Sequence, residues 1–439
     1  MKQIKGLLSI LLLTAAGSYA WAAAPDSQPG ASQTTTQTTS PDTASVSATT
    51  STTTTGHTPI SFFDQKLPVT FTLSAGETYD DNIFIQPTKS HDWVTDIQPG
   101  VDLAFGDPIL LTPNLGIENP NANPENESNS NYLSVTYHPT FLLYADHSHL
   151  DTVDEFADAL YAHQFSKLTL SIEQSYAKLS QPTIQTSAAG SMVDRDVYVT
   201  TARANYVYSD KLSTYGTFTQ TVTDFQTPGF TDSNEWTGDY YFLYQVLPKL
   251  SVGFGPRFGF VDIVGAPNQT WQAGLVHFYY TPTGKLAFTL DVGAEDRQYE
   301  SPGPGDKATP ILDATGTYQP FDSTTISLSA GRDVHASNSF IGQNYTASRV
   351  QLGLRQRFVQ VVYFNLNVGY EHDQYNFASS GLAGPERQDD YYYVKTGLEW
   401  DANDWLTVNG YYQYSEDNSN FAAVSFNDNQ FNIGATLKY

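Results

Sequence analysis

Apolar and polar residues alternate along many short stretches of this chain. In the last nine residues, Phe431, Ile433, Ala435, Leu437 and Tyr439 are apolar or aromatic, and the residues between them are small or polar. A period of two is the spacing of side chains on one face of a β-strand. The pattern predicts a terminal strand with one apolar and one polar face, in a membrane barrel or, alternatively, in a soluble β-sandwich.

Similar segments recur about every 20 residues from Leu67 onwards, joined in pairs by tight turns such as Ser166-Lys167 and Pro248-Lys249. Longer stretches rich in Asp, Asn, Ser, Gly and Pro separate the pairs and predict loops. These predicted loops lie near 80–92, 177–194, 222–234, 261–269, 295–307, 332–344, 372–388 and 416–428.

Short turns at one end and long loops at the other are typical of transmembrane β-barrels. The sequence therefore predicts an all-β fold, a transmembrane antiparallel β-barrel of about 18 strands, with 16 as the alternative. Its strands would run from Leu67–Tyr79 to Phe431–Tyr439. Residues 106–131 are rich in Asn and Pro and lie where this layout needs a short turn, so they form an insertion or, alternatively, Pro108–Gly116 holds elements assigned wrongly. A propeller or β-helix would show a fixed sequence repeat, which we do not find.

The N-terminus predicts export. Lys2 and Lys5 precede the short apolar run 6–16, and Ala20-Trp21-Ala22 offers small residues for a signal peptidase. We expect a signal peptide over residues 1–22, with cleavage after Ala24 as the alternative. Residues 23–60 are mostly Ser, Thr, Gln, Ala, Pro and Gly, which predicts a disordered linker. Residues 61–439 would form the barrel.

Composition and charge limit the partners. The chain has no cysteine, which excludes disulfides, thiolate metal sites and lipoprotein anchoring. Its formal charge is −25, and the loss of Lys2 and Lys5 with the signal peptide would make it −27. No basic surface is therefore expected for a nucleic acid. We expect outer-membrane lipid and the barrel-assembly machinery as partners, with polysaccharide or small hydrophilic solutes as candidates, and no cofactor.

Two stretches resemble a known family. Leu73-Ser-Ala-Gly-Glu-Thr-Tyr-Asp-Asp-Asn-Ile-Phe84, followed by Trp93-Val-Thr-Asp-Ile-Gln-Pro-Gly-Val101, resembles the Putative beta-barrel porin 2 family of outer-membrane proteins. The hairpin Tyr161–Ser171 is similar in style. The final strand also resembles the C-terminal assembly signal of Gram-negative outer-membrane barrels. The resemblance implies the outer membrane of a Gram-negative bacterium and the passage of small solutes or large glycans. It implies no catalytic residues.

If the apolar faces meet lipid, the opposite faces define candidate pore-lining residues. Their basic members are Arg203, Arg257, Arg349, Arg355, Arg357 and Lys395, and their acidic members are Glu173, Asp239, Asp291, Asp313, Glu371 and Glu399. Arg349, Arg355 and Arg357 form the densest basic strip, which predicts attraction of an anionic solute. Alternatively, interior Arg, Glu and Asp pair with one another and stabilise a wide barrel. Inward Tyr could stack on sugar rings, although Tyr is also abundant in interfacial belts.

The sequence contains few residue patterns that would indicate catalysis or metal binding. His147 and His149 lie two residues apart, but an isolated pair in a loop is more often just polar, so we predict no metal site. No Gly-x-Ser-x-Gly, His-Glu-x-x-His or phosphate-binding glycine loop occurs, so we predict no enzyme activity. The sequence predicts a porin-like channel for hydrophilic solutes, or alternatively a non-conducting barrel whose acidic loops bind a partner or surface polymer. The number of subunits is open.

Overall fold

The computed structural model describes residues 69–106, 130–182, 192–300, 307–337, 343–377 and 386–439. Before them it places two short antiparallel ribbons, which pair Gln33–Thr34 with Ser51–Thr52 and Ile60–Phe62 with Gln65–Leu67. The predicted signal peptide and the stretch 107–129 lie outside the described residues, as does most of the predicted linker.

Eighteen antiparallel strands form one closed barrel, in which each strand pairs with its neighbours in sequence and the first pairs with the last. The strands are β1 Val69–Asp80, β2 Asp92–Gly106, β3 Ser130–Tyr144, β4 Thr152–Gln164, β5 Leu168–Gln181, β6 Val193–Ser209, β7 Leu212–Phe225, β8 Ser233–Leu247, β9 Leu250–Ile263, β10 Gln269–Thr283, β11 Leu286–Tyr299, β12 Lys307–Phe321, β13 Thr324–Ala336, β14 Gln343–Val359, β15 Val362–Phe377, β16 Gln388–Asn403, β17 Leu406–Ser419 and β18 Phe426–Lys438. The fold class and the count of 18 strands are confirmed, and the alternative of 16 is wrong.

The strands reach further towards the long loops than the sequence indicated. β15 continues to Phe377, whereas the predicted loop began at residue 372. β18 begins at Phe426, where it pairs with Asp417 of β17, although this stretch was assigned to a loop. The apolar alternation ends where the outer face leaves the lipid, but backbone pairing continues because a β-ladder does not require apolar side chains.

The two ends of the barrel differ. Seven connections at one end, from 165–167 to 404–405, hold two or three residues each, and we call this the turn end. The loop end carries the longer connections. β2 finishes at the turn end with Gly106 at φ +93°, where an added Cβ would collide with the carbonyl of Asn131 on β3. Only glycine fits this backbone conformation.

Side chains on each strand alternate between an outer and an inner face. The outer face is apolar and exposed: Phe254 and Phe258 of β9 are 65% and 55% exposed, and Phe431 and Ile433 of β18 are also exposed. Large exposed apolar surfaces of this kind require a non-aqueous surrounding. Since every strand has two partners, the sheet has no open edge, which is the condition for crossing lipid.

A 3₁₀ turn, Ser148–Leu150, lies in the loop between β3 and β4. In the described part of the chain, no helix has the length and apolar character needed to cross a membrane.

Candidate functional site

The inner face of the barrel carries the charged side chains. All twelve residues predicted to line a pore lie on the face opposite the exposed apolar side chains of their own strand. For example, Arg349 of β14 and Lys395 of β16 alternate with the exposed Val350 and Val394. Their role as pore-lining residues stays a prediction, because their position alone does not show what passes them.

Most of the predicted inward arginines form an ion pair with a carboxylate. Arg203 Nη1 lies 3.0 Å from Glu173 Oε2, and Arg257 forms an ion pair with Asp239 on the neighbouring strand. Both contacts join residues that the sequence assigned to the inner face. The structure therefore supports an interior in which Arg and carboxylate groups neutralise each other.

Arg355 makes the most elaborate of these contacts. Its Nη1 and Nη2 donate to the two carboxylate oxygens of Glu399 at 3.1 and 2.9 Å, and its guanidinium lies 4.1 Å from the ring centroid of Tyr363. Glu399 lies on β16, two strands away from Arg355 on β14, so the contact bridges over β15. A planar guanidinium suits both the bidentate contact and the stacking.

Arg349 also has a partner, which the sequence did not predict. Its Nη2 lies 2.6 Å from Asp333 Oδ2 on β13, and His335 of the same strand lies 3.1 Å from the other oxygen of Asp333. The position of Asp333 on an inner face could have been found from its spacing to Leu328, but the register that faces it towards Arg349 could not.

Arg357 and Lys395 differ from the other predicted cations. Among the residues that the structure describes, neither has a carboxylate within 4.0 Å. The ammonium of Lys395 lies 3.9 Å from the ring centroid of Tyr411 on β17. Of the basic strip on β14, only Arg357, near the turn end, forms no ion pair with a described carboxylate.

Part of the inner face is apolar, which the sequence analysis missed. Tyr241 and Leu243 of β8, Ala273 and Leu275 of β10 and Ile311 of β12 form a buried cluster, against which Tyr215 packs. Leu243 and Leu275 are only 2% and 3% exposed. We call this group the apolar lobe. The sequences of β8 and β10 could have indicated the apolar lobe, because apolar residues occupy both faces of these strands over several positions.

A network of polar side chains narrows the barrel above the apolar lobe at the loop end. Gln269 of β10 donates to Asn344 of β14 at 2.9 Å, although three strands lie between them. Asn344 also contacts the hydroxyl of Tyr299, and Arg297 Nη2 donates to the carbonyl of Val334 at 2.8 Å. The ladder between β12 and β13 ends at the pair Leu312 and Arg332. Beyond this pair, towards the loop end, the ladder no longer joins β12 to β13.

His147 anchors a loop. Its Nδ1 lies 2.7 Å from Asp92 Oδ2, and the backbone N–H groups of Asp146 and His147 donate to the same carboxylate at 2.9 Å. Asp92 is fully buried under this loop. Among the described residues there is no group of three or more His, Cys, Asp or Glu side chains that could hold a metal ion.

An unbroken antiparallel barrel with an apolar outside and a charged inside defines a transmembrane β-barrel of the porin type. Residues 272–439 match the model of the Putative beta-barrel porin 2 family. The family resemblance is therefore confirmed over this part of the chain, which lies outside the segments on which the resemblance was based. A comparison with curated proteins gives no match.

Several solved structures are similar to this chain at low sequence identity. OccK2 (OpdF) of Pseudomonas aeruginosa is 10% identical with a TM-score of 0.45, covering 84% of this chain and 98% of that one. OpdK of the same organism, solved with vanillate, is 9% identical with a TM-score of 0.44, covering 84% and 99%. OccAB3 of Acinetobacter baumannii is 11% identical with a TM-score of 0.43, covering 84% and 99%.

Proposed function

We propose that this protein is an outer-membrane, porin-like channel through which hydrophilic solutes cross. One observation carries the proposal: the wall is apolar and exposed outside, yet charged and reachable by water inside. Asp313 lies on the inner face of β12 and is nevertheless exposed, so open space extends in front of it. A barrel of eighteen strands is wide enough to enclose such a space.

The ion pairs of the inner wall give a passing solute a polar surface of fixed charges. Arg203–Glu173, Arg257–Asp239 and Arg355–Glu399 lie on several strands and face a common space. Rows of fixed charges in a lumen select solutes by size and charge. In its more specific form, the proposal is that oligosaccharides or polysaccharides pass through the channel. The proposal requires that the protein lies in the outer membrane of a Gram-negative bacterium.

Conductance in a planar bilayer tests the proposal. Mature protein, residues 23–439, is refolded and checked for heat-modifiable migration on a gel, which reports a folded barrel. Stable conductance steps with measurable ion selectivity are the expected result. A folded barrel that inserts and yet gives no steps would contradict an open lumen.

The second candidate is a non-conducting barrel whose loops bind a partner, and the network at the loop end favours it. The contacts of Gln269, Asn344 and Arg297 narrow the lumen where a solute would enter. If this network closes the lumen, a variant with Asn344→Ala should conduct while the unchanged protein stays silent. Silence of both proteins would favour the binding role.

A further inference from the structure

The inner surface of β15 to β18 differs from the rest of the wall. Six inward side chains of β15, β16 and β17 are half-buried, whereas those of the apolar lobe are buried. Five of the six are uncharged amides or tyrosines and one is a lysine, and we call this surface the amide–tyrosine wall: Asn367, Tyr391, Tyr393, Lys395, Tyr411 and Gln413. A solute in the lumen would reach these side chains more readily than those of the apolar lobe.

The ring of Tyr393 lies over Gly369 of the neighbouring strand β15. Tyr393 pairs across the ladder with Gly369, and a Cβ at Gly369 would collide with the tyrosine ring. The absence of a side chain at Gly369 leaves room for the tyrosine ring over the backbone of β15. Tyr391 lies next along the strand with its ring centroid 6.0 Å from that of Tyr393, and the ring of Phe426 follows 6.4 Å beyond Tyr391. The three rings form an aromatic track towards the loop end.

Hydrogen-bonding groups lie beside this track. Lys395 is paired in register with Asn367 on one side and with Gln413 on the other. Its ammonium is held over the ring of Tyr411, 3.9 Å from the centroid. Two amides and an ammonium supply both donors and acceptors within one row, at the end of the track nearer the turn end.

We propose that the amide–tyrosine wall binds neutral oligosaccharides as they pass through the channel, a proposal that rests on the proposed function. The electron-rich faces of Tyr391 and Tyr393 suit the polarised C–H groups of a sugar ring. The amides of Asn367 and Gln413 and the ammonium of Lys395 suit its hydroxyl groups.

The charge of the lumen favours a neutral sugar over an acidic one. The formal charge of the whole chain is −25, and the exposed Asp313 of β12 lies on the inner face. The lumen of a protein with a negative net charge repels a polyanion and leaves a neutral chain unaffected. The single ammonium of Lys395 does not offset this charge.

The test is block of single-channel current by sugars. Maltohexaose and cellohexaose are the neutral probes, and an oligogalacturonate of the same length is the acidic probe. We expect the neutral probes to interrupt the current at lower concentrations than the acidic probe. Tyr393→Ala should weaken the block by about two- to tenfold, since one aromatic contact is lost. Tyr393→Phe keeps the ring and should retain the block.

Tyr392→Ala is the matched control. Tyr392 lies between the two track residues on the same strand but points to the outer face, where it contacts Tyr414. Its loss should leave the block unchanged. The proposal is overturned if the acidic probe blocks better, if no neutral probe blocks, or if Tyr392→Ala weakens the block as much as Tyr393→Ala.

A failure of the channel itself is distinguishable from a failure of this proposal. If the folded protein gives no conductance steps, the proposed function is wrong, and binding of cellohexaose is then measured by calorimetry on the detergent-solubilised barrel. Binding that weakens in Tyr393→Ala and persists in Tyr392→Ala supports the wall as a saccharide site without conduction. Absence of binding overturns it.

Discussion

Phe71 and Tyr439 donate a backbone hydrogen bond to each other, both 2.8 Å long, across 368 positions of the chain. Phe71 lies near the start of β1, and Tyr439 is the residue after β18. This reciprocal pair completes the ladder that closes the barrel at the turn end. The aromatic side chain of Tyr439 is exposed on the outer face. The backbone of Tyr439 therefore helps to close the barrel, and its side chain belongs to the predicted assembly signal.

Deletion of Tyr439 should weaken closure. It removes both bonds to Phe71, which would lower the free energy of unfolding by about 1–3 kcal/mol. Tyr439→Ala keeps these bonds and removes the ring, so it should leave the stability nearly unchanged while slowing assembly in cells. Urea unfolding followed by tryptophan fluorescence measures the first effect, and the amount of folded barrel in the outer membrane measures the second. Equal loss of stability in both variants would contradict the role of the backbone pair.

Arg355 and Glu399 should be coupled in stability. Arg355→Met leaves the Glu399 carboxylate without the guanidinium that contacts both of its oxygens, which should cost about 1–3 kcal/mol. Arg355→Met combined with Glu399→Leu should cost less than the single change, since no charge is then left without its partner. Urea unfolding of the two single variants and the double variant measures the coupling. Strictly additive losses would show that the contact contributes little.

Arg357 should influence ion selectivity more than Arg349 does. No described carboxylate lies within 4.0 Å of Arg357, whereas Arg349 is 2.6 Å from Asp333. Arg357→Ala should shift the reversal potential of an open channel towards cations. The combined change Arg349→Ala and Asp333→Ala removes no net charge and should leave it nearly constant. If the reversal potential in a salt gradient does not move in Arg357→Ala, this residue does not face the conducting path.

Asp81 should make the stability of the loop 81–91 depend on pH. Burial alone would raise the pKa of Asp81, but the Lys89 ammonium and the N–H groups of Asn429 outweigh it and hold the pKa below its ordinary value of 3.8. A lowered pKa means that the ionised carboxylate stabilises the fold above the ordinary pKa, and that this stability is lost as the pH falls through the lowered value.

Comparison with Asp81→Asn isolates this effect. The difference in urea midpoint between the unchanged protein and the variant should be constant near neutral pH and shrink only below about pH 4. Lys89→Met should reduce the same difference, because it removes the cation that lowers the pKa. A difference that already disappears around pH 6 would mean that Asp81 is not held by these contacts.

The periodicity of the sequence predicted the faces of the strands well. The apolar positions of the last strand, including Phe431, Ile433 and Leu437, are exposed on the outer face as the alternation required. The same alternation placed Arg355 and Glu399 on the inner face. The alternation could not show that these two residues contact each other, because they are 44 positions apart on strands that are not neighbours. The apolar lobe was missed for a similar reason, since an inward apolar residue looks like an outward one until the opposing strands are known.

The sequence by itself determined the alternating strands, their two faces and the ends at which turns and loops lie, and it favoured eighteen strands over sixteen. These features follow from side-chain alternation and turn residues within a few positions of the chain. Only the tertiary structure decided the contacts between strands that are not neighbours, which inward arginines have a carboxylate partner, and the position of Tyr393 against Gly369. Those features arise from register and shear between strands, which depend on the closure of the whole barrel and not on any local segment.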